Sequence, residues 1–173
     1  MRKFLDGLYA GSLGIAGVFL VGIFLVMIGE AVMRKMGSYI PGASELIGWF
    51  CAAAGFLALP ATFKRGDMVR VGVLVDKLPP PLRKVMILAC LLLAAVFTAY
   101  MLWASGNYLW RSWRSEEMTQ GMIEIATWIP QASMVLGALL LLVAVVDELL
   151  AALRAPAASL RAERAMSMED VAV

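Results

Sequence analysis

The sequence predicts an all-α integral membrane protein with four transmembrane helices. One observation is bulk composition: 62% of the 173 residues are hydrophobic and only 16% are charged, where soluble domains run to about 45–50% and about 25%. So small a chain cannot hide that excess in a core, because much of its surface must stay in contact with solvent. The other is distribution. Four stretches, 8–29, 46–63, 85–110 and 125–146, contain no Asp, Glu, Lys or Arg. Each reaches about 18 residues, enough at about 1.5 Å per residue to cross a hydrocarbon core of about 30 Å. The runs do not alternate as barrel strands do, and a spanning segment must satisfy its own backbone, so each is a helix.

The first run follows Arg2 and Lys3, as a secretory signal would. It is longer than a signal's apolar region, and Gly29-Glu30-Ala31 is a poor cleavage site, so it is expected to be a retained helix. Gly7, Gly11 and Gly14 form a small-residue stripe along it, and Gly48, Ala52 and Gly55 form another on the second helix. Such stripes let backbones approach in lipid, within this unit or against another protein. At the outer end of the first run, Glu30 and Arg34 stand four residues apart and share a helical face.

Pro41-Gly42 closes the first connection, Ser44 is a candidate N-cap for the second helix, and Glu45 follows it. Trp49, Trp110, Trp113 and Trp128 fall near one membrane interface, where indoles prefer to sit. Pro60 is expected to kink or loosen the last turn of the second helix.

The connection 66–78 is amphipathic. Asp67 could cap a short helix on which Met68, Val71, Leu74, Val75 and Leu78 share a face. Val69, Val71, Val73 and Val75 also alternate, so a strand fits the pattern too. A lone strand at a membrane surface would leave its edges unpaired, which favours an interfacial helix with Arg65, Arg70 and Lys77 toward the headgroups. Pro79-Pro80-Pro81 stops any helix from running on into the third span.

Ser105 and Asn107, near the outer end of the third helix, can bond to neighbouring helices. Glu116, Glu117 and Glu124 crowd the next loop beside Arg111 and Arg114 without the spacing of a calcium loop. Thr127 is a candidate cap for the fourth helix, with Pro130 in its first turn, where a missing N–H costs little. These spans make residues 1–154 a four-helix domain. The tail, 155–173, reads as a short helix with a disordered end.

Eleven of the fifteen Lys and Arg residues lie in the N-terminus, the central connection and the tail, against four in the other two loops. That asymmetry predicts cytoplasmic termini.

The chemistry excluded is broad. Histidine is absent, which removes His-ligated haem, most catalytic zinc sites and imidazole triads. Cys51 and Cys90 lie inside apolar runs and read as reduced, lipid-embedded thiols. The net charge of +2 gives no footprint for nucleic acid. No nucleotide-binding glycine loop, metal cluster or nucleophile–base pair is present. The sequence therefore predicts neither an enzyme nor a cofactor protein. The spans hold no mid-depth charge and no broken-helix site, so transport by this chain alone is not expected.

Several residues then match a known family in order and spacing. They are Glu30 and Arg34, Pro41 with Glu45-Leu46, Lys64-Arg65-Gly66 followed by Val69, Val71, Leu74, Val75 and Leu78-Pro79, then Trp128-Ile129-Pro130 and Gly137. From about Arg2 to Arg154 the chain resembles the small, DctQ-type membrane subunit of tripartite ATP-independent periplasmic (TRAP) transporters. It departs from that family at Met68, where a histidine is common, and at Gly72, where an acidic residue is. The resemblance implies a bacterial inner-membrane scaffold subunit paired with a large membrane subunit that holds the sodium and substrate sites. It also implies a periplasmic binding protein that delivers an organic acid, with the outer loops contributing to its docking. The partner-interface or structural candidates are Glu30, Arg34, Glu45, Trp49, Arg65, Gly66, Leu74, Leu78, Pro79, Trp128 and Pro130. Two alternatives are an electron-transfer membrane anchor, which the missing histidines argue against for bis-His haem but not for quinone, and a small self-sufficient dimeric exporter, which the missing mid-span carboxylate argues against.

Overall fold

The computed structural model describes residues 2–65, 80–119 and 121–154. Four helices account for nearly all of them: α1 (Arg2–Lys35), α2 (Ala43–Arg65), α3 (Pro80–Arg114) and α4 (Trp128–Arg154). All four are long and apolar enough to cross a membrane. The only β pairing among the described residues is an isolated bridge between Met118 and Ala126. The segment 66–78 with Leu74 and Leu78, Pro79, and the tail 155–173 lie outside the described residues.

The first three helices outrun their uncharged stretches at both ends, and α4 does so at its C-terminal end. The cations Arg34, Lys35, Arg111 and Arg114 therefore occupy last turns rather than loops, where they oppose the negative end of the helix dipole. Lys64 likewise belongs to α2. Pro80 and Pro81 open α3 instead of preceding it, which suits residues with no N–H to donate. The fourth helix starts at Trp128, not at residue 125, because Ile125 and Ala126 are engaged in loop hydrogen bonds.

The ends are set by local chemistry. After α1, Gly37 takes φ 77°, the N–H of Ser38 donates to the Met33 carbonyl at 3.0 Å and that of Gly37 to Arg34 at 3.2 Å. This pair of bonds is a Schellman cap, which needs a left-handed residue that glycine supplies cheaply. Next, the Ala43 N–H donates to Ile40 at 3.3 Å across Pro41-Gly42, with Gly42 at φ 75°, a type II turn. Gly42 accepts the first helical bond, from Leu46, so Ser44 lies inside the first turn of α2 and is not its cap. Thr127 does precede α4, but its hydroxyl donates to the Glu117 carbonyl at 2.9 Å; it ties down the loop.

The helices pack as an open row in the order α1–α2–α4–α3, with extensive contact only between those neighbours among the described residues. The two central helices run side by side in the same direction, and each is flanked by an antiparallel partner. The loops 36–42 and 115–127 lie at one end of the row (the loop end). At the other, the terminal end, Tyr9, Ala61 and Ala144 from three helices form a small core, with Leu5, Leu13 and Phe63 against it. Such a row leaves broad apolar surfaces uncovered: Val18, Phe97 and Leu93 are each about 70% exposed. Lipid or another protein must cover them.

The glycine stripes do not make the internal contacts. A Cβ at Gly7, Gly11, Gly14, Gly48 or Gly55 would meet nothing within 4 Å. The close approach is elsewhere, at Gly137 of α4, where a Cβ would stand 2.5 Å from the carbonyl oxygen of Phe56. Pro60 explains that carbonyl. It lies inside α2 and is fully buried, and with no N–H it cannot bond to Phe56 four residues earlier. The freed oxygen faces α4, and glycine lets that helix come up to it.

Candidate functional site

Polar side chains with partners concentrate at the two ends of the row. At the loop end, Glu45 stands in the first turn of α2. Its carboxylate accepts the N–H groups of Met122 and Ile123, at 3.0 and 3.4 Å, from the connection between α3 and α4. A carboxylate holding two backbone donors is a charge-assisted clasp, and it sits where the positive end of the α2 dipole favours it. Two glycines make room. A Cβ at Gly121 would collide with the Glu45 carboxylate, and one at Gly42 with the Ile123 side chain.

The clasped loop is internally tied. Thr119 donates its N–H and its hydroxyl to the Ile125 carbonyl at 2.9 and 2.6 Å. The N–H of Thr127 donates to Glu117 at 3.0 Å. The rings of Trp113 and Trp128 meet at a tilt of 53°, 4.7 Å apart, joining the end of α3 to the start of α4. Pro130 occupies the first turn of α4, and its carbonyl accepts the Ser133 hydroxyl at 2.8 Å. Met118 and Met122 remain exposed on the loop, as do Met36 and Tyr39 on the other one.

Glu30 and Arg34 form the ion pair that their spacing predicts, at 2.5 Å. The Arg34 side chain is mostly exposed, so the pair is a solvent-facing one and contributes little to stability by itself. With Met27, Ala31, Lys35 and Ile47 it lines an open cleft between α1 and α2. Trp49 is half-buried on α2, and Arg65 is the last residue of that helix. Gly66 lies outside the described residues, with Leu74, Leu78 and Pro79.

At the terminal end, Lys64 of α2 bonds to Asp147 of α4 at 2.6 Å and stands 3.7 Å from Glu148. All three side chains are partly buried. Sequence reasoning missed this cluster because it placed Lys64 in a loop and treated 147–148 as lying beyond the span. Two carboxylates after an apolar run and one lysine before a loop are ordinary separately; only the row brings them together.

Ser105 does not reach a neighbouring helix: its hydroxyl donates to Met101 one turn back. Asn107 is exposed. Cys51 and Cys90 are free and exposed. Among the described residues no group of three or more His, Cys, Asp or Glu is placed to hold a metal ion. Glu45 ties α2 to the α3–α4 connection and Lys64 ties α2 to α4, whereas Glu30–Arg34 lies within α1.

A comparison with curated proteins finds no match. A family model described as "Tripartite ATP-independent periplasmic transporters, DctQ component" matches residues 23–155. That range takes in the last part of α1, all of α2 to α4 and both loop-end connections. Four helices long and apolar enough to span a membrane and a match over most of the chain agree with one another. The chain belongs to the DctQ component family of the tripartite ATP-independent periplasmic transporters.

Proposed function

We propose that this chain is the noncatalytic scaffold subunit of a sodium-driven importer in the bacterial inner membrane. It pairs with a large membrane subunit that holds the ion and substrate sites. A periplasmic binding protein delivers an organic acid to the complex. The observation that carries this reading is the open row. Its inner contacts use few residues, its faces are apolar and exposed, and its partly buried ion pair, Lys64–Asp147, joins two of its own helices.

Further support comes from the glycine stripes. A Cβ at Gly7, Gly11 or Gly14 on α1 would meet nothing within 4 Å among the described residues, which suits close approach by a helix of the large subunit. The Lys and Arg asymmetry supports cytoplasmic termini, and it puts the Glu45-clasped loop and the Glu30–Arg34 cleft on the periplasmic side. The amphipathic sequence of 66–78, flanked by Arg65, suits a cytoplasmic membrane surface with anionic lipid.

The test is reconstitution. Proteoliposomes holding this chain with its large subunit and binding protein should take up the organic acid when a sodium gradient is imposed. Vesicles with this chain alone should not. Sodium-driven uptake by the chain alone would overturn the scaffold reading.

A further inference from the structure

The chain has five tryptophans, and four of them fall near one membrane interface. Trp103 does not. The spanning part of α3 runs from Lys84 to Arg114, so its midpoint falls at Ala99. At about 1.5 Å per residue, Tyr100 stands about 1.5 Å from that level and Trp103 about 6 Å. Asn107 lies about 12 Å away, still inside a half-core of about 15 Å. Phenols and indoles prefer the headgroup level, where their polar atoms find water. Here both sit at the centre of the span.

The packing of α3 settles which way they point. Among the described residues its one extensive contact is with α4. Leu91, Thr98 and Ser112 are buried, and spacings of seven and fourteen put them on one face of the helix, the α4 side. Tyr100, Trp103 and Asn107, at i, i+3 and i+7, share the opposite face. Tyr100 is 64% and Trp103 65% exposed, and Asn107 is exposed as well. The two rings lie 6.0 Å apart. Neither the phenol O–H, the indole N–H nor the Asn107 amide has a hydrogen-bond partner among the described residues. Thr98 and Ser105, by contrast, donate to carbonyls of their own helix.

Acyl chains hold no acceptor at this depth, so lipid would leave these donors unpaired in hydrocarbon. A second copy of this chain fits no better. Symmetric pairing would set the large side chains against one another, and pairing with the glycine stripe of another copy's α1 would run head to tail without closing. We propose that this face of α3 packs against a membrane helix of a different chain. That helix has small residues opposite the two rings and hydroxyl or carbonyl oxygens at mid-depth that accept from Trp103 Nε1–H and the Tyr100 O–H. Small residues let the rings interdigitate and bring those oxygens within reach. Under the proposed function, on which this inference rests, the different chain is the large membrane subunit. The contact is separate from the α1 glycines, which lie at the other edge of the row.

The test uses the full chain co-expressed with the large subunit. A benzophenone amino acid at position 103 should crosslink to the large subunit in intact membranes. Trp103→Phe keeps the ring and removes the donor, so it should weaken the pair about threefold, the size of one hydrogen bond within lipid. Energy transfer between labelled subunits on dilution into bicelles measures this. Trp110→Phe, at the interface where water supplies the acceptor, should leave the affinity unchanged. Subunits that copurify without an adduct at position 103 would overturn the face and spare the importer reading. Subunits that do not copurify would overturn both. Capture of a second copy of this chain, or equal weakening by Trp103→Phe and Trp110→Phe, would also overturn the proposal.

Discussion

Gly137→Ala is the substitution whose cost can be worked most directly from the structure. The added methyl would stand 2.5 Å from the Phe56 carbonyl oxygen, 2.6 Å from its carbonyl carbon and 2.7 Å from its Cβ. Two of those atoms are backbone, so no rotamer change relieves the clash. Ordinary contact begins near 3.4 Å, so α2 and α4 must part by about 1 Å. Overpacking of this kind costs about 1–3 kcal/mol, while alanine's better helix propensity returns at most about 1 kcal/mol. The net expectation is a loss of about 1–2 kcal/mol. Gly55→Ala is the control: the same exchange on α2, at a position with open space around it, should be neutral or stabilising by up to about 1 kcal/mol. Denaturant unfolding in bicelles, followed by tryptophan fluorescence, measures both. Equal midpoints for the two variants would refute the claim that the central contact is made at Gly137.

Two further outcomes follow from the end clasps. Glu45→Ala removes the acceptor of two backbone donors, so the Met122 and Ile123 amides should exchange about tenfold faster, the effect of losing about 1.4 kcal/mol of local protection; unchanged exchange would show that the loop is held by its own bonds. At the other end, Lys64→Met leaves both Asp147 and Glu148 without their cation, whereas Asp147→Asn leaves Lys64 with Glu148 at 3.7 Å. Lys64→Met should therefore be the more destabilising, with about 1 kcal/mol of coupling in the Lys64/Asp147 double-mutant cycle. Equal single-variant costs with no coupling would remove the pair from the scaffold.

How much of this could be read from the chain itself depends on the range of the interaction. The Glu30–Arg34 pair was legible because four residues of helix place both groups on one face. Pro130 was legible because only a first turn tolerates it so cheaply. The Schellman cap at Gly37 was missed, although its signal, a glycine just beyond Arg34-Lys35, stands in the sequence. Glu45 was picked out through family resemblance, and what it does was not visible: its partners are 77 and 78 residues away.

The sequence alone determined the solvent and the elements. Uncharged runs of this length are stable as helices in lipid and scarcely anywhere else, so four spans follow from composition along one dimension. Only the tertiary structure decided which helices are neighbours. In lipid every helix face is about as apolar as the next, so hydropathy carries no record of the row order α1–α2–α4–α3. Steric detail decides instead. The glycine stripes on α1 and α2 suggest close packing and face outward, whereas one proline frees the Phe56 carbonyl and one glycine on α4 accepts its approach. The Lys64–Asp147 pair spans 83 residues, and it forms because α2 and α4 pack side by side in the same direction, which brings their far ends together.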